Sequence, residues 1–532
     1  MRLPIIPLVV AVALLAAVAY IFTVATRSDQ KVLSVPRLTR LADVDGIETE
    51  VAVAPDGNRY AVISSGNLWL LNVSTGARQQ LTRTPEPPAF PAWAADGKQI
   101  TFTRGEDTFA IDPDTGTEKL FIANATSLSW SATSRTTFVR NRELWIANPN
   151  DQNERRLVEA DPTPDITIRT PRFSPDALQV AYIKTQLNLR GEVWTVDATN
   201  GAASPLVADR PAENPLDVGW IAGGRNLAYL TNRAGAYSLW QIDFAESKIL
   251  PLTQPLVTIP LARIGMAVWK DRIVLPRHFV DSNIALSDGT PVVGTEKLEL
   301  EPAVSPDGKL VAYTKAEDNN FEIWTAGLHG ENPTFRTVGH EPRFSPNGYE
   351  IVYTHADLGG NDDVWKVDIR NGRTERVTDA DEIDVAGDPS PDGRSIAFAS
   401  ARGGAISVWT TPSSGGKRFR INDGGYGPRH SADSKSIAFW NRQGLWTADA
   451  DGKNPREIFH GLREPLKAVW TRKGPAFFIS GEIHTATEKL LSVMDHPIWP
   501  DFDVMPDGRF VIAPIDIRET SLWTIDLTYK EK

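Results

Sequence analysis

A unit of about 40 residues recurs along this chain and restricts what it can fold into. The unit is best preserved over residues 305–338, where the turn Ser305-Pro306-Asp307-Gly308 opens it. Proline presets the turn, aspartate bonds nearby amides, and glycine accepts a positive φ. The β-prone segments 309–314, 321–326 and 335–338 follow, separated by polar or glycine-containing turns. With the short segment before the turn, the unit predicts a four-stranded antiparallel sheet.

Such a sheet cannot bury both faces alone, so it needs copies on either side. Positions equivalent to Asp307 recur at intervals of 35 to 48 residues, by subtraction of Asp56, Asp96, Ser134, Asp176, Gly223, Asp271, Asp307, Asn347, Asp392, Asp433, Arg472 and Asp507. An aromatic residue follows most of them by 11 to 18 residues, at Trp69, Phe109, Trp145, Trp194, Trp240, Trp324, Trp365, Trp409, Trp446 and Trp523. Ile284 and His484 fill this place in the other two units.

Repeats of about 40 residues with four strands each are typical of an all-β propeller, which holds about four to eight blades. Twelve units therefore predict two six-bladed β-propellers of four-stranded antiparallel blades. We place the boundary within residues 288–298, which gives propellers over 37–290 and 291–532. Residues 37–41 read as a strand that closes a ring, although the sequence does not identify its blade.

The segment from Leu3 to Ala25 carries no charged residue over 23 positions. As a helix it would extend roughly 34 Å, enough to cross a bilayer. We expect residues 1–27 to form a transmembrane anchor, 28–36 a linker, and the propellers to lie in the periplasm or otherwise outside the cytoplasm. The alternative is a secretory signal that is cleaved, releasing a secreted protein.

Composition excludes several classes of function. The chain has 67 acidic and 56 basic residues, so a nucleic-acid partner is not expected. It has no cysteine, which excludes disulfides, a thiolate nucleophile and cysteine-ligated metal sites. Its eight histidines form no HExxH or comparable metal-ligand spacing.

The turn 305–309, with its apolar strand and Glu322-Ile323-Trp324-Thr325, resembles the WD40-like PD40 repeat. This repeat occurs in TolB-like propellers and in those of tricorn-type and prolyl-oligopeptidase-type proteins. The resemblance extends over nearly all units and implies a propeller fold. The peptidase relatives would add an α/β-hydrolase domain with a Gly-x-Ser-x-Gly elbow, which does not occur in this sequence. We therefore expect no hydrolase, no catalytic residue, no metal and no cofactor.

Arginines recur just before the turns, on what should be the innermost strands, at Arg172, Arg343 and Arg429. They would give the channel or its rim positive charge for an anionic ligand or an acidic peptide. The alternative is pairing with neighbouring Asp or Glu residues throughout the repeats.

His430 stands in the place that Phe173 and Phe344 occupy in other units, and His484 replaces the usual tryptophan. Each is interpreted as a packed histidine or as a ligand-binding one. The acidic loops at 317–318 and 361–363 are interpreted as solvated hairpins or calcium sites.

Most tryptophans recur in phase with the repeat, which indicates packing between blades. Trp440 and Trp499 fall outside both recurring positions and are predicted to make surface contacts.

These features predict an exported, membrane-tethered, non-catalytic propeller that binds a protein partner as a scaffold of a bacterial envelope. One alternative is an enzyme or binding protein that takes a sugar or other small molecule in a propeller channel. A sensor is the other alternative. Against it, only Met1 and Arg2 precede the apolar segment, so no cytoplasmic output domain is expected.

Overall fold

The structure is a computed structural model that describes most of the chain after the apolar segment. The described ranges are 31–33, 37–42, 46–148, 153–163, 166–186, 190–207, 213–234, 236–245, 247–253, 264–295, 297–317, 320–356, 361–403, 405–441, 443–460, 468–479, 482–492, 501–527 and 529–531. The predicted anchor Leu3–Ala25 lies outside them. Within these ranges, no helix has the length and apolar character needed to cross a bilayer.

The described chain consists of 50 β-strands and one turn of 3-10 helix at Ala222–Gly224. The first two strands are β1 (Lys31–Leu33) and β2 (Arg37–Ala42). Sheets 1 and 2 hold β3 (Glu48–Val53), β4 (Arg59–Ser64), β5 (Asn67–Asn72), β6 (Arg78–Gln80) and β7 (Ala89–Trp93), β8 (Ile100–Arg104), β9 (Asp107–Ile111), β10 (Glu118–Ile122). Sheets 3 and 4 hold β11 (Thr126–Trp130), β12 (Thr136–Arg140), β13 (Glu143–Ala147), β14 (Glu154–Val158) and β15 (Ile166–Phe173), β16 (Gln179–Gln186), β17 (Arg190–Asp197), β18 (Ala203–Val207). Sheet 5 holds β19 (Pro215–Ile221), β20 (Asn226–Ala234), β21 (Ala236–Asp243) and β22 (Lys248–Pro251).

Four strands in the middle of the chain belong to sheets completed by its C-terminal part. They are β23 (Ala267–Trp269), β24 (Arg272–Ser282), β25 (Ile284–Leu286) and β26 (Pro291–Val293). Sheets 8 and 9 then hold β27 (Leu298–Val304), β28 (Leu310–Glu317), β29 (Asn320–Gly327), β30 (Thr334–Val338) and β31 (His340–Phe344), β32 (Glu350–Ala356), β33 (Asp362–Asp368), β34 (Thr374–Arg376).

Sheets 10 and 11 hold β35 (Asp384–Pro389), β36 (Ser395–Ser400), β37 (Ser407–Pro412), β38 (Phe419–Arg420) and β39 (Tyr426–His430), β40 (Ser436–Trp440), β41 (Gly444–Asp449), β42 (Arg456–His460). Sheet 12 holds β43 (Ala468–Thr471), β44 (Gly474–Ile479), β45 (Glu482–His484) and β46 (Lys489–Ser492). The last strands are β47 (Asp501–Val504), β48 (Phe510–Ala513), β49 (Ile515–Asp526) and β50 (Tyr529–Glu531).

The all-β prediction is confirmed, and the twelve four-stranded sheets are consistent with propeller blades. Sheets 6 and 7 combine strands from distant parts of the chain. Sheet 6 has the order β2-β49-β24-β23, and sheet 7 has the order β26-β25-β48-β47. The predicted strand at 37–41 therefore completes the sheet that the C-terminal strand β49 enters.

The predicted contents of the sixth and twelfth units need a correction. The sequence placed Ile284 in the Asp271 unit and Trp523 in the Asp507 unit. In the structure Trp523 pairs with Leu275 in sheet 6, and β25, which begins at Ile284, pairs with β48 in sheet 7. The two units exchange their third strands because β24 pairs with β49 from Arg272 to Ser282, with one register shift between Phe279 and Val280. The predicted boundary at 290/291 therefore separates strands that pair with each other.

Buried apolar clusters join each sheet to the next. Successive clusters join sheets 1 to 6 in order, and a further cluster joins sheet 6 back to sheet 1, where Val274 and Leu522 pack with Val51 and Tyr60. Sheets 7 to 12 are joined in the same way, and the cluster that contains Phe478 of sheet 12 joins this sheet back to sheet 7. We call sheets 1 to 6 the first group and sheets 7 to 12 the second group.

The recurring turn has one geometry. Ser305 Oγ donates to Asp307 Oδ1 at 2.7 Å, and the Lys309 and Leu310 N–H groups donate to Asp307 Oδ1 and Ser305 Oγ at 3.1 and 2.9 Å. Gly308 has a φ of 69°, which favours glycine. The serine hydroxyl and the backbone N–H lower the pKa of Asp307, and likewise those of Asp392 and Asp433.

This geometry predicts how acid affects stability. A carboxyl group whose pKa is lower in the folded state than the ordinary 3.8 stabilises the fold above that pH. The stabilisation is lost as the pH falls through the folded pKa, because the unfolded state binds protons more readily. We expect the triple variant Asp307→Asn, Asp392→Asn, Asp433→Asn to lose part of the acid dependence of the free energy of unfolding between about pH 5 and pH 2.

Asparagine should keep the turn, since Asn347 Oδ1 already accepts the Tyr349 and Glu350 N–H groups at 2.8 and 3.1 Å. Urea unfolding at several pH values measures the effect. An unchanged pH slope in a folded triple variant would show that these aspartates do not govern acid stability.

Candidate functional site

The four residues predicted from the sequence all lie on first strands, meaning the strand that begins each repeat. Arg172 is on β15, Arg343 is on β31, and Arg429 and His430 are on β39. Each arginine follows by two residues a β-bulge residue with positive φ, namely Thr170, Glu341 and Gly427. The three arginines are therefore equivalent in the repeat, although they belong to different groups.

Arg172 pairs with a buried carboxylate of the next sheet. Its Nη2 lies 3.2 Å from both carboxylate oxygens of Asp217, which is 1% exposed. The Met266 and Val218 N–H groups also donate to this carboxylate, each at 2.8 Å. Burial raises the pKa of Asp217, and Arg172 opposes the shift. The contacts are those of an ion pair that joins sheets 4, 5 and 6.

Arg343 and Arg429 are both 7% exposed and contact mainly backbone carbonyls. Arg343 Nη1 donates to the Pro302 and Pro342 oxygens at 3.2 and 3.0 Å. Arg429 Nη1 donates to Pro428 O at 2.8 Å and lies 3.8 Å from Asp388 Oδ1. Burial, followed by the nearby Arg343 charge, lowers the pKa of Arg429 to about 10. Arg343 and Arg429 therefore both lie inside the protein, away from solvent.

His430 packs against the preceding sheet. Its backbone N–H and its Nδ1 lie 2.7 and 3.0 Å from Asp388 Oδ2. Its side chain is only 2% exposed. These contacts favour the packed-histidine interpretation.

His484 occupies the tryptophan position with the same polar contact. Its Nε2 lies 2.8 Å from Glu482 Oε2, two residues earlier. Trp194 and Trp324 donate in the same way to Glu192 and Glu322, at 2.7 and 2.8 Å. The histidine therefore substitutes structurally for a repeat tryptophan.

This equivalence predicts that His484→Trp is tolerated. Because the indole N–H can reach Glu482 as it does in other sheets, we expect the free energy of unfolding to change by no more than about 0.5 kcal/mol. Urea unfolding of the variant beside His484→Ala measures the difference. A folded His484→Trp protein that loses more stability than the alanine variant would contradict the equivalence.

Tryptophans just before the turns join neighbouring sheets through their indole N–H groups. Trp220 Nε1 donates to Arg172 O at 2.9 Å, and Trp470 Nε1 donates to Arg429 O at 2.8 Å. The predicted packing between units is thus confirmed here. The surface contact predicted for Trp440 is wrong, since this side chain is fully buried between sheets 11 and 12. Trp499 lies outside the described residues.

The 361–363 loop is not a solvated hairpin throughout. Asp363 is fully buried and bonded to Arg376 and Thr378, and Asn361 donates to Ala380 O at 2.7 Å. At the other predicted acidic loop, residues 318–319 lie outside the described ranges.

A row of acidic residues on the first strands was missed by the sequence reasoning. At the bulges of the second group, the Glu301 N–H donates to Asp501 Oδ2 at 3.2 Å. The Glu341 N–H then donates to Glu301 Oε2 at 2.6 Å, and the Ala386 N–H to Glu341 Oε2 at 3.0 Å. Each carboxylate thus satisfies a backbone donor of the following sheet. The signal was Glu-Pro four residues before Ser-Pro, at Glu301 and Glu341.

The same contact occurs in the first group, where the Phe90 N–H donates to Glu50 Oε2. The residue before Phe90 is Ala89, whereas the residue before Glu341 is His340. The second group therefore adds an imidazole beside its carboxylates.

Glu301, His340 and Glu341 form the one cluster of potential metal ligands found among the described residues. One ligand atom from each lies within 4.8 Å of the others, and all three residues are half-buried. His340 Nε2 is 3.9 Å from Asp362 Oδ1. Burial opposes protonation, but the negative charge of nearby Asp362, with those of Glu301 and Glu341, raises the pKa of His340 to about 9. The cluster can hold a cation or keep a proton on His340.

The four-stranded sheets, the repeat turns and the first-strand contacts describe a repeat protein of propeller type. Residues 284–464 match the PD40 family, described as the TolB beta propeller domain, over about a third of the chain. These residues are similar to the PD40 repeats of TolB-like β-propellers.

Individual relatives match shorter parts of the chain. The uncharacterized protein Atu1656 of Agrobacterium fabrum is 31% identical over 146 residues, which are 26% of this chain and 48% of that protein. The uncharacterized peptidase YuxL of Bacillus subtilis is 23% identical over 228 residues, 40% of this chain and 33% of the peptidase. This chain therefore spans less than half the length of these two relatives. The crystal structure of TolB from Acinetobacter baumannii is 15% identical, covering 79% of this chain and 80% of that chain, with a TM-score of 0.28.

Proposed function

We propose that the two groups of sheets are two six-bladed β-propellers. The return of each series of apolar clusters to its first sheet supports closure, because a closed ring leaves no sheet face unpaired. On this division the second propeller is residues 284–513. The first propeller combines residues 37–282 with β49 from the end of the chain.

We propose that this double propeller is a non-catalytic protein-binding scaffold. The observation that carries the proposal is a set of large apolar side chains exposed on three consecutive sheets of the second group. Phe335 on β30, Tyr349 in the turn after β31 and Phe419 on β38 are 46%, 51% and 51% exposed. Single exposed apolar residues are common, but exposed ones on consecutive sheets favour an interaction surface. The PD40 repeats favour the same class of function.

Site-specific photo-crosslinking tests the scaffold proposal. A photoreactive residue replaces Tyr349 in one variant and Lys309, its equivalent in the adjacent sheet, in the control. We expect a saturable protein adduct at position 349, weakened by Phe335→Ser and Phe419→Ser, and none at position 309. Equal labelling at both positions, or an adduct indifferent to these substitutions, would argue against the surface.

A second candidate is a channel protein acting on a sugar or other small molecule. The Glu301–His340–Glu341 cluster favours it, since carboxylates and an imidazole are groups that serve acid–base or metal chemistry. Turnover lost in His340→Gln but kept in the Phe335→Ser variant would select this function over the scaffold.

We propose that the protein is anchored in the inner membrane with its propellers outside the cytoplasm. The uncharged segment Leu3–Ala25 supports anchoring by its length. The mature N-terminal sequence and alkaline extraction of membranes distinguish an anchor from a cleaved signal. An N-terminus after Ala19 or Ala25 would favour the secreted alternative.

A further inference from the structure

We propose that Glu301, His340 and Glu341 form a binding site for a divalent transition-metal ion of the zinc class. Glu301 belongs to β27, and the other two residues begin β31 on the adjacent sheet. Their ligand atoms lie within 4.8 Å of one another. Ligands around one tetrahedral zinc ion lie about 3.5 Å apart, given metal–ligand distances near 2.1 Å. Side-chain rotations that move the ligand atoms by roughly an ångström would bring them to this spacing.

The two carboxylates are positioned by the fold. Glu301 Oε2 accepts the Thr314 hydroxyl at 2.7 Å, in addition to the Glu341 N–H. Glu341 Oε2 accepts the Thr354 hydroxyl at 3.1 Å, in addition to the Ala386 N–H. Contacts of this kind orient ligands before an ion arrives, which lowers the ordering cost of binding.

His340 also has a partner that can orient its ring. Asp362 lies 3.9 Å from His340 Nε2, and a carboxylate beside a metal-bound histidine commonly fixes its tautomer and its orientation. All three ligands are half-buried, so an ion can reach them from solvent.

The donor set indicates the class of ion. One imidazole with two carboxylates suits zinc or manganese, whereas calcium prefers a larger set of oxygen ligands. The nearby guanidiniums of Arg343 and Arg429 already contact backbone carbonyls and Asp388. The carboxylates of Asp501 and Glu301 accept the backbone N–H groups of Glu301 and Glu341, so acidic residues recur on three consecutive sheets, which favours a cation there.

The test is zinc binding to the full chain, purified and stripped with a chelator, followed by calorimetry. We expect one zinc ion per chain, bound at least tenfold more weakly by His340→Gln and by Glu341→Gln, with calcium failing to compete. The matched control is Glu50→Gln, which alters the equivalent inter-sheet contact in the first group, where alanine replaces the histidine. It should bind zinc as the unaltered chain does.

Circular dichroism confirms that each variant is folded. Because glutamine keeps an acceptor oxygen, the contact to the next sheet can persist while the charge is removed. If zinc does not bind, or binds equally well to folded His340→Gln and Glu341→Gln, His340 serves instead as a cationic partner of the carboxylates and the proposal is overturned.

Discussion

Removal of residues 515–532 is expected to unfold the first group of sheets while leaving the second group folded. Strand β49 supplies the third strand of sheet 6, between β24 and β2. Its Leu522 and Ile525 are fully buried, in the clusters that join sheet 6 to sheets 1 and 5. Burial of such a side chain contributes about 1.5–3 kcal/mol. Two of them, with the lost strand pairing, approach the roughly 5–15 kcal/mol stability of a typical domain.

Two sets of fragments provide the measurement. Residues 284–513 should give a cooperative thermal transition alone, whereas a fragment of residues 291–532 should not, since it lacks β25, the strand that joins β26 to β48 in sheet 7. Likewise 37–290 should fail to fold unless a peptide carrying 515–527 is added. Independent folding of 37–290 and 291–532 would contradict the exchanged strands.

Asp217→Ala is expected to destabilise the first group by about 3 kcal/mol, the lower end of the cost of breaking a buried ion pair. The substitution leaves Arg172 without its carboxylate and the Met266 N–H without its acceptor. We take the lower end because Arg172 is partly exposed, with 26% of its side chain accessible. Urea unfolding followed by tryptophan fluorescence measures the change.

Asp217→Asn should cost less, because the amide oxygen can still accept the Met266 N–H and no charge is buried. The matched surface control is Asp451→Ala, which removes the exposed partner of Lys453 and should change stability little. An alanine variant at 217 that is no less stable than the asparagine variant would show that the pair is dispensable.

Local sequence was sufficient to predict the repeat unit. The Ser-Pro-Asp-Gly turn forms its bonds within five residues, so the turn at Ser305 could be read without any tertiary information. The same holds for the place of Trp324 and of its substitute His484. The arginines were also placed correctly on the first strands, but their partners were not identified. Asp217 lies 45 residues from Arg172 and belongs to another sheet.

The sequence by itself determined that this chain is an array of four-stranded sheets, because turn chemistry and strand alternation are local and repeat in phase. Only the tertiary structure decided which strands complete sheets 6 and 7, since a third strand pairs equally well whether it comes from nearby or from 250 residues away. It also decided that Glu301 and Glu341 meet His340. Side chains on neighbouring first strands converge only when the sheets pack side by side, and no local pattern encodes that distance.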